Sequence, residues 1–242
     1  MTEKTHKGVF IIGTDTGVGK TVVAAGLALC LRDRGVKVGV MKPIATGCLS
    51  SDKRLYSTDA IYLFEAAENE YPLLSNPIRF RNPLAPHVAS QIERTPVDMK
   101  KILWAYHEIC RLYDFIIVEG IGGLLVPFMD NYFVADLVKE FNLPVIIVAR
   151  GNLGTINHTL LTVQAGVNRG LNILGIILNG VPQANLSMAE VTNPRVIQDL
   201  TGLPVLGVLP KLSDVDVDHM LFGSLKKTFS EKIKLDTILS PG

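Results

Sequence analysis

Six runs of apolar, largely β-branched residues recur along the chain, at residues 9–12, 36–41, 115–118, 144–149, 173–178 and 204–209. Most lack the strict alternation of a sheet with one wet face, and helical patterns fall between several of them. They predict an α/β fold in which a mostly parallel sheet is covered by helices on both faces. A helix is expected over residues 22–34, where Val23, Leu27 and Leu31 recur every four positions and Gly35 supplies the stop. Further helices are expected over residues 59–67, 97–112 and 154–169, the last with Ile156, Leu160, Val163 and Val167 on one face. Between Asp52 and Pro96 the pattern loosens into a proline-punctuated excursion. Residues 223–235 set Leu225, Phe229 and Ile233 at four-residue spacing among Lys226, Lys227, Lys232 and Lys234, which predicts a basic amphipathic helix. No linker or repeat divides the chain, so residues 1–242 are expected to form a single domain.

Ligands of parallel α/β sheets collect beyond the carboxyl ends of the strands, so the residues after each run are the ones to read. The first run leads into Gly13-Thr14-Asp15-Thr16-Gly17-Val18-Gly19-Lys20-Thr21, a glycine-bearing turn that ends in Lys-Thr and opens a helix. Backbone N–H groups of such a loop converge on a polyphosphate, the lysine reaches its outer oxygens, and the Thr21 hydroxyl can ligate Mg²⁺. The general consensus places its first glycine at position 14, where this chain has Thr14; Gly13 stands one residue early. The other run ends carry Lys42-Pro43-Ile44-Ala45-Thr46-Gly47, Glu119-Gly120-Ile121-Gly122-Gly123, Arg150-Gly151-Asn152-Leu153-Gly154, Asn179-Gly180 and Pro210-Lys211.

Composition narrows the field. A length of 242 residues accommodates one large α/β domain, and a formal net charge of +1 gives no electrostatic reason to expect a nucleic-acid partner. Three scattered cysteines without CxxC spacing suggest neither a disulfide framework nor a zinc site. The N-terminus is short and polar, and no apolar run approaches a membrane span, so a cytoplasmic protein with no membrane partner is expected.

Among single residues, Lys42 at a strand's carboxyl end is placed to neutralise a phosphoryl group or an anionic substrate, with a solvated surface lysine as the alternative. Glu119 stands where nucleotide hydrolases set an acid that completes Mg²⁺ binding, although those usually use Asp, with an ordinary strand-end acid as the alternative. Asp52 and Asp59 both lie near the second loop, and either could be a helix cap. His87 and His158 lack partners at metal-ligand spacing and read as structural or substrate-adjacent.

Taken in order, GTDTGVGKT, MKPIATG, STDA, NPLAPHVAS, VEGIGG, GTINHTLLT and LNGV resemble the dethiobiotin synthetase family over residues 9–212, and the early Gly13 is what that family's loop shows. The resemblance implies a P-loop fold and an ATP- and Mg²⁺-dependent ring closure of 7,8-diaminopelargonic acid with CO₂, through a carbamate and its mixed anhydride with phosphate. It implies that Lys20 and Lys42, with Thr16 close by, stabilise the carbamate and the transferring phosphoryl group. It assigns Thr21, Asp59 and Glu119 to Mg²⁺, and Gly17, Val18, Gly19, Lys20, Thr21, Val22, Gly120, Gly122, Asn179 and Pro210 to the nucleotide. It assigns Thr46, Gly123, Leu153, Gly154 and Asn157 to the diamine, in a homodimer where one subunit's Gly154–Asn157 helix start receives the substrate carboxylate of the other's site. Gly17 departs from members that carry Glu there, and the tail beyond Leu212 matches no family feature. Two rivals share the loop: partitioning-type ATPases, which need a lysine where this chain has Asp15, and cobyrinate-type amide synthetases, which usually carry a further domain.

Overall fold

The computed structural model describes residues 7–52 and 54–239; the polar residues 1–6 and the final residues 240–242 lie outside them. Six strands, β1 (Gly8–Gly13), β2 (Val38–Met41), β3 (Phe115–Gly123), β4 (Val145–Arg150), β5 (Ile173–Val181) and β6 (Val205–Pro210), pair in parallel in the order β6-β5-β4-β1-β3-β2. The helices longer than five residues are α1 (Lys20–Asp33), α2 (Thr58–Ala67), α3 (Pro86–Ile92), α4 (Met99–Leu112), α5 (Val134–Phe141), α6 (Thr155–Asn168), α7 (Met188–Thr201) and α8 (Leu225–Lys232).

The strands lack alternation because both of their faces are buried. On β1, Val9 and Ile11 join a core with α1, α2 and α8, whereas Phe10 and Ile12 join a second core with α4, α5, α6 and α7. Each of these side chains is at most 1% exposed, and burial of this kind contributes roughly 1.5–3 kcal/mol per residue.

The chain runs from β1 out to β2, returns to insert β3 beside β1, and only then crosses to β4 on the other side. The carboxyl end of β1 is thus the point where strand order reverses, and crevices form at such points. Both sheet edges are covered. At β2, the buried Asn69 amide, turned to pair both atoms, donates to Val38 O at 2.9 Å and accepts from Val40 N at 3.1 Å. At β6, Ile233 bridges Gly207 antiparallel and Lys234 N donates to Leu206 O at 2.9 Å. The tail that matches no sequence pattern of the family therefore closes an edge that would otherwise offer unpaired backbone to another chain.

Several expected boundaries shift. The second strand starts at Val38 because Gly35, at φ 77, turns the chain after α1. β3 continues past Val118 to Gly123, and β5 past Leu178 to Val181. The basic helix stops at Lys232, so Ile233 serves the edge bridge rather than the helix face.

Candidate active site

The crevice at the end of β1 holds the phosphate loop, and its glycines are fixed by close contacts. A Cβ on Gly13 would stand 2.8 Å from Lys20 Nζ and 2.7 Å from Asp15 O. The early glycine is what lets Lys20 fold back over the loop, where its Nζ donates to Asp15 O at 3.1 Å. Gly19 has φ 90, and a Cβ there would meet Asn179 Nδ2 at 1.9 Å. Asn179, from β5, donates to Val18 O at 3.0 Å. Gly19 also precedes α1 with no side-chain cap, leaving the first-turn N–H groups of Lys20, Thr21 and Val22 for an anion.

Four elements converge beneath this loop. Thr21 Oγ1, from α1, donates to Glu119 Oε1 at 2.9 Å, and Lys42 Nζ, at the end of β2, donates to the same oxygen at 2.9 Å. Lys42 also pairs with Asp59 in the first turn of α2. Between the two acids of the second loop the fold selects Asp59: Ser57 Oγ caps α2 by accepting from Ala60 N at 3.3 Å, while Asp52 sits in an exposed turn at φ 48.

Electrostatics follow from depth. Burial lowers the Lys20 pKa, against the pull of Glu119. Burial opposes the Lys42 charge as well, but Glu119 and Asp59 together outweigh it and hold the ammonium above its ordinary range. Glu119 is 1% exposed; burial pushes its carboxyl up while Lys42 pulls it down, and its Oε2 is buried with no hydrogen-bond partner. An orphaned, buried carboxylate oxygen beside a threonine hydroxyl and Asp59 fits a hard cation. No group of three or more His, Cys, Asp and Glu that could hold a metal occurs among the described residues. The smaller, all-oxygen set suits Mg²⁺, which completes its shell with phosphate and water.

The Gly120–Gly123 segment lies against the loop. A Cβ on Gly120 would stand 3.1 Å from Phe10 Cε1, one on Gly122 3.5 Å from Thr16 Oγ1, and Gly123 is in register with Gly13. Thr16 is thereby set beside this glycine pair, with Gly17 following at φ 70. Pro210 is in register with Val181 and borders a cavity of about 660 Å³ lined also by Val208, Leu212 and Thr228.

The substrate-assigned residues are spread more widely. Thr46, half-buried, follows the short strand Ile44–Ala45. Leu153, Gly154 and Asn157 are exposed at the start of α6, and among the described residues no hydrogen bond ties them to the Lys20–Glu119 cluster. Thr155 beside them is 3% exposed, and its hydroxyl has no partner. A cavity of about 410 Å³ between the loop and α6 is lined by Thr14, Asp15, Gly123, Leu124, His158 and Leu161.

Two residues with no role evident in the sequence also hold these loops: Arg150 Nη2 donates to Thr16 O at 3.0 Å, and Asn193 Nδ2 donates to Gly151 O at 2.8 Å and Asn152 O at 3.1 Å. Arg150 was visible as a strand-end residue. Asn193 carried no signal, because it lies 41 positions from its partner Asn152.

A family model described as an AAA domain matches residues 7–218. The ATP-dependent dethiobiotin synthetase BioD of Thermodesulfovibrio yellowstonii is 45% identical over 221 residues, covering 88% of this chain and 92% of that protein. The chain belongs to the dethiobiotin synthetase family. Relatives of the same name are 42% identical in Bacillus subtilis strain 168, over 89% of this chain and 92% of that protein, and 38% identical in Nitrosopumilus maritimus, over 96% and 99%. Among solved structures, a ParA family ATPase from Chlorobium tepidum superposes with TM-score 0.58 at 16% identity, covering 99% of this chain and 100% of that one. The cell division ATPase MinD of Pyrococcus furiosus gives 0.54 at 17%, covering 96% and 98%. At these identities the likeness is one of fold, and this chain shares the P-loop scaffold of those ATPases.

Proposed function

We propose that the protein is an ATP-dependent dethiobiotin synthetase, closing 7,8-diaminopelargonic acid and CO₂ into the cyclic urea of dethiobiotin in biotin biosynthesis. The observation that carries the reading is the buried Lys42–Glu119–Thr21 cluster directly beneath a phosphate loop. Phosphoryl transfer of this kind depends on positioning and charge neutralisation, so two lysines and a metal suffice without a protein nucleophile.

In this reading CO₂ adds to one amine of the substrate and a proton leaves, giving a carbamate. A carbamate oxygen attacks the γ-phosphorus of ATP and ADP departs; the second amine then attacks the carbonyl carbon, phosphate leaves, that nitrogen gives up a proton to solvent, and the urea ring closes. Lys20 and the N–H groups of Gly17, Val18, Gly19, Thr21 and Val22 bind the triphosphate. Lys42 steadies the carbamate and the phosphoryl group in flight, and Thr16 contacts the same group. Thr21, Asp59 and Glu119 would hold Mg²⁺, which supplies charge neutralisation of the phosphate oxygens when bound. Asn179 and Pro210 flank the base, with Gly120 and Gly122 keeping the floor thin. Thr46 and Gly123 contact the diamine chain.

We further propose a homodimer of single-domain subunits, residues 1–242, acting in the cytoplasm. The exposed start of α6, with Leu153, Gly154 and Asn157, then receives the substrate carboxylate bound in the partner subunit's site. Support comes from the uncapped Gly154 at φ 92 and the unpartnered, buried Thr155 hydroxyl.

Purified protein is expected to release phosphate from ATP only when the diamine and bicarbonate are both present. Equal release without the diamine would turn the reading toward a free-standing ATPase.

A further inference from the structure

The peptide of Lys42 is gripped from both sides. Its N–H donates to Ser75 O at 2.6 Å, and its C=O accepts from Asn76 Nδ2 at 2.7 Å. Asn76 is 2% exposed and spends its remaining capacity locally: Nδ2 also reaches Ile78 O at 3.3 Å, and Oδ1 accepts from Arg79 Nε at 3.1 Å. Arg79 is half-buried, and its Nη1 extends to Leu55 O at 3.1 Å. Leu55 lies two residues before Ser57, the N-cap that starts α2, and the first turn of α2 carries Asp59, which returns to Lys42 Nζ. The contacts therefore form a closed ring: Lys42 main chain, Asn76, Arg79, Leu55, the α2 cap, Asp59 and the Lys42 ammonium.

We propose that Asn76 and Arg79 are positioning residues for the synthetase reaction, fixing the Lys42 ammonium relative to the start of α2 through this ring. The inference rests on the reading of Lys42 as the group that steadies the carbamate and phosphoryl oxygens. Neither residue belongs to the phosphate loop or is among the groups assigned to substrate, and each acts through main-chain carbonyls. Lys42 and Asp59 come from separate elements, the end of β2 and the start of α2, and both depend on the hydrogen bonds of a long loop. The buried Asn76 amide holds such a loop because its nitrogen and its oxygen are both bonded, and Arg79 extends that grip to Leu55, which leaves one arrangement rather than several. No hydrogen bond of the ring reaches Lys20 or the backbone N–H groups of the loop, so it bears on turnover more than on nucleotide affinity.

The test uses the full-length protein with R79Q, R79K, N76S and the double variant N76S/R79Q. Rates of dethiobiotin formation are normalised to the number of ATP-binding sites, so that a fraction lost to misfolding does not count. R79Q is expected to lower kcat about 10-fold or more, since sub-ångström displacement of a catalytic group costs on this order, while the KM and Kd for ATP stay within about twofold. R79K, which can restore one of the two bonds, should recover part of the loss. The double variant should be no slower than the worse single one, because the two residues act in series. A normalised R79Q kcat within about twofold of wild type overturns the proposal. So does an equal loss in ATP affinity, or a double variant whose defect is the product of the single defects. Wild-type protein that forms no dethiobiotin would instead overturn the functional reading, which separates the two failures.

Discussion

Lys42 is 5% exposed and still carries its charge, because two carboxylates from different elements compensate for the lost water. Replacing it by glutamine removes the charge and leaves a neutral polar side chain one atom shorter. Glu119, whose carboxyl burial already pushes upward, can take up a proton in response, so the fold should survive. K42Q is expected to lower product formation by about 10²-fold or more, with ATP affinity within a few-fold because Lys20 and the loop N–H groups remain. Steady-state product assays beside equilibrium nucleotide binding check this, and near-normal turnover removes Lys42 from the chemistry. At this scale the sequence is informative wherever a residue's role follows from its place at a strand end: Lys20, Lys42, Glu119 and Asn179 all fall in the crevice. It is silent where the role is a partner far away in the chain. Gly13 was visible as a displaced glycine, but its reason, the Lys20 ammonium 2.8 Å from a would-be Cβ, exists only after folding. Asn76 reads only as part of the proline-punctuated excursion until Lys42 is set against it.

The elements with strong periodicity, α1, α4 and α6, were legible within about two residues, an ordinary uncertainty for boundaries. α7 was not, because Pro194 interrupts it and its buried residues are only Asn193 and Ile197, too few to make a pattern. The tail illustrates a different limit: its apolar spacing was readable, but what it covers was not. Phe229 is fully buried against α1, where a Cβ on Gly26 would stand 2.4 Å from its ring, and the residues after α8 close the β6 edge. F229A is therefore expected to cost about 3–5 kcal/mol in urea unfolding, with kcat per folded molecule unchanged. A loss under about 1 kcal/mol would show that α8 rests on α1 without stabilising it.

Across the whole molecule, Cys30, Cys48 and Cys110 are buried thiols whose pKa values burial raises, Cys30 to about 11, and burial likewise lifts Tyr62 to about 12. These groups ionise more readily in the unfolded chain, which exposes them to water. The contribution of Cys30 is intact below the ordinary thiol value near 9 and is lost as pH rises through its folded value near 11. Urea midpoints should therefore fall between pH 9 and pH 11, in step with the appearance of thiols reactive toward an aromatic disulfide; a flat profile would show that these side chains reach water in the native state. The parallel sheet, its reversal at β1 and the cluster beneath the loop together concentrate charge at one crevice, where the proposed reaction joins CO₂ to a diamine. The most direct measurement is mass spectrometry of the product formed from the diamine, ATP, Mg²⁺ and isotopically labelled bicarbonate. The expected product is the diamine gaining one labelled carbonyl and losing two hydrogens, with one phosphate released per ring; phosphate release without that labelled ring would contradict it.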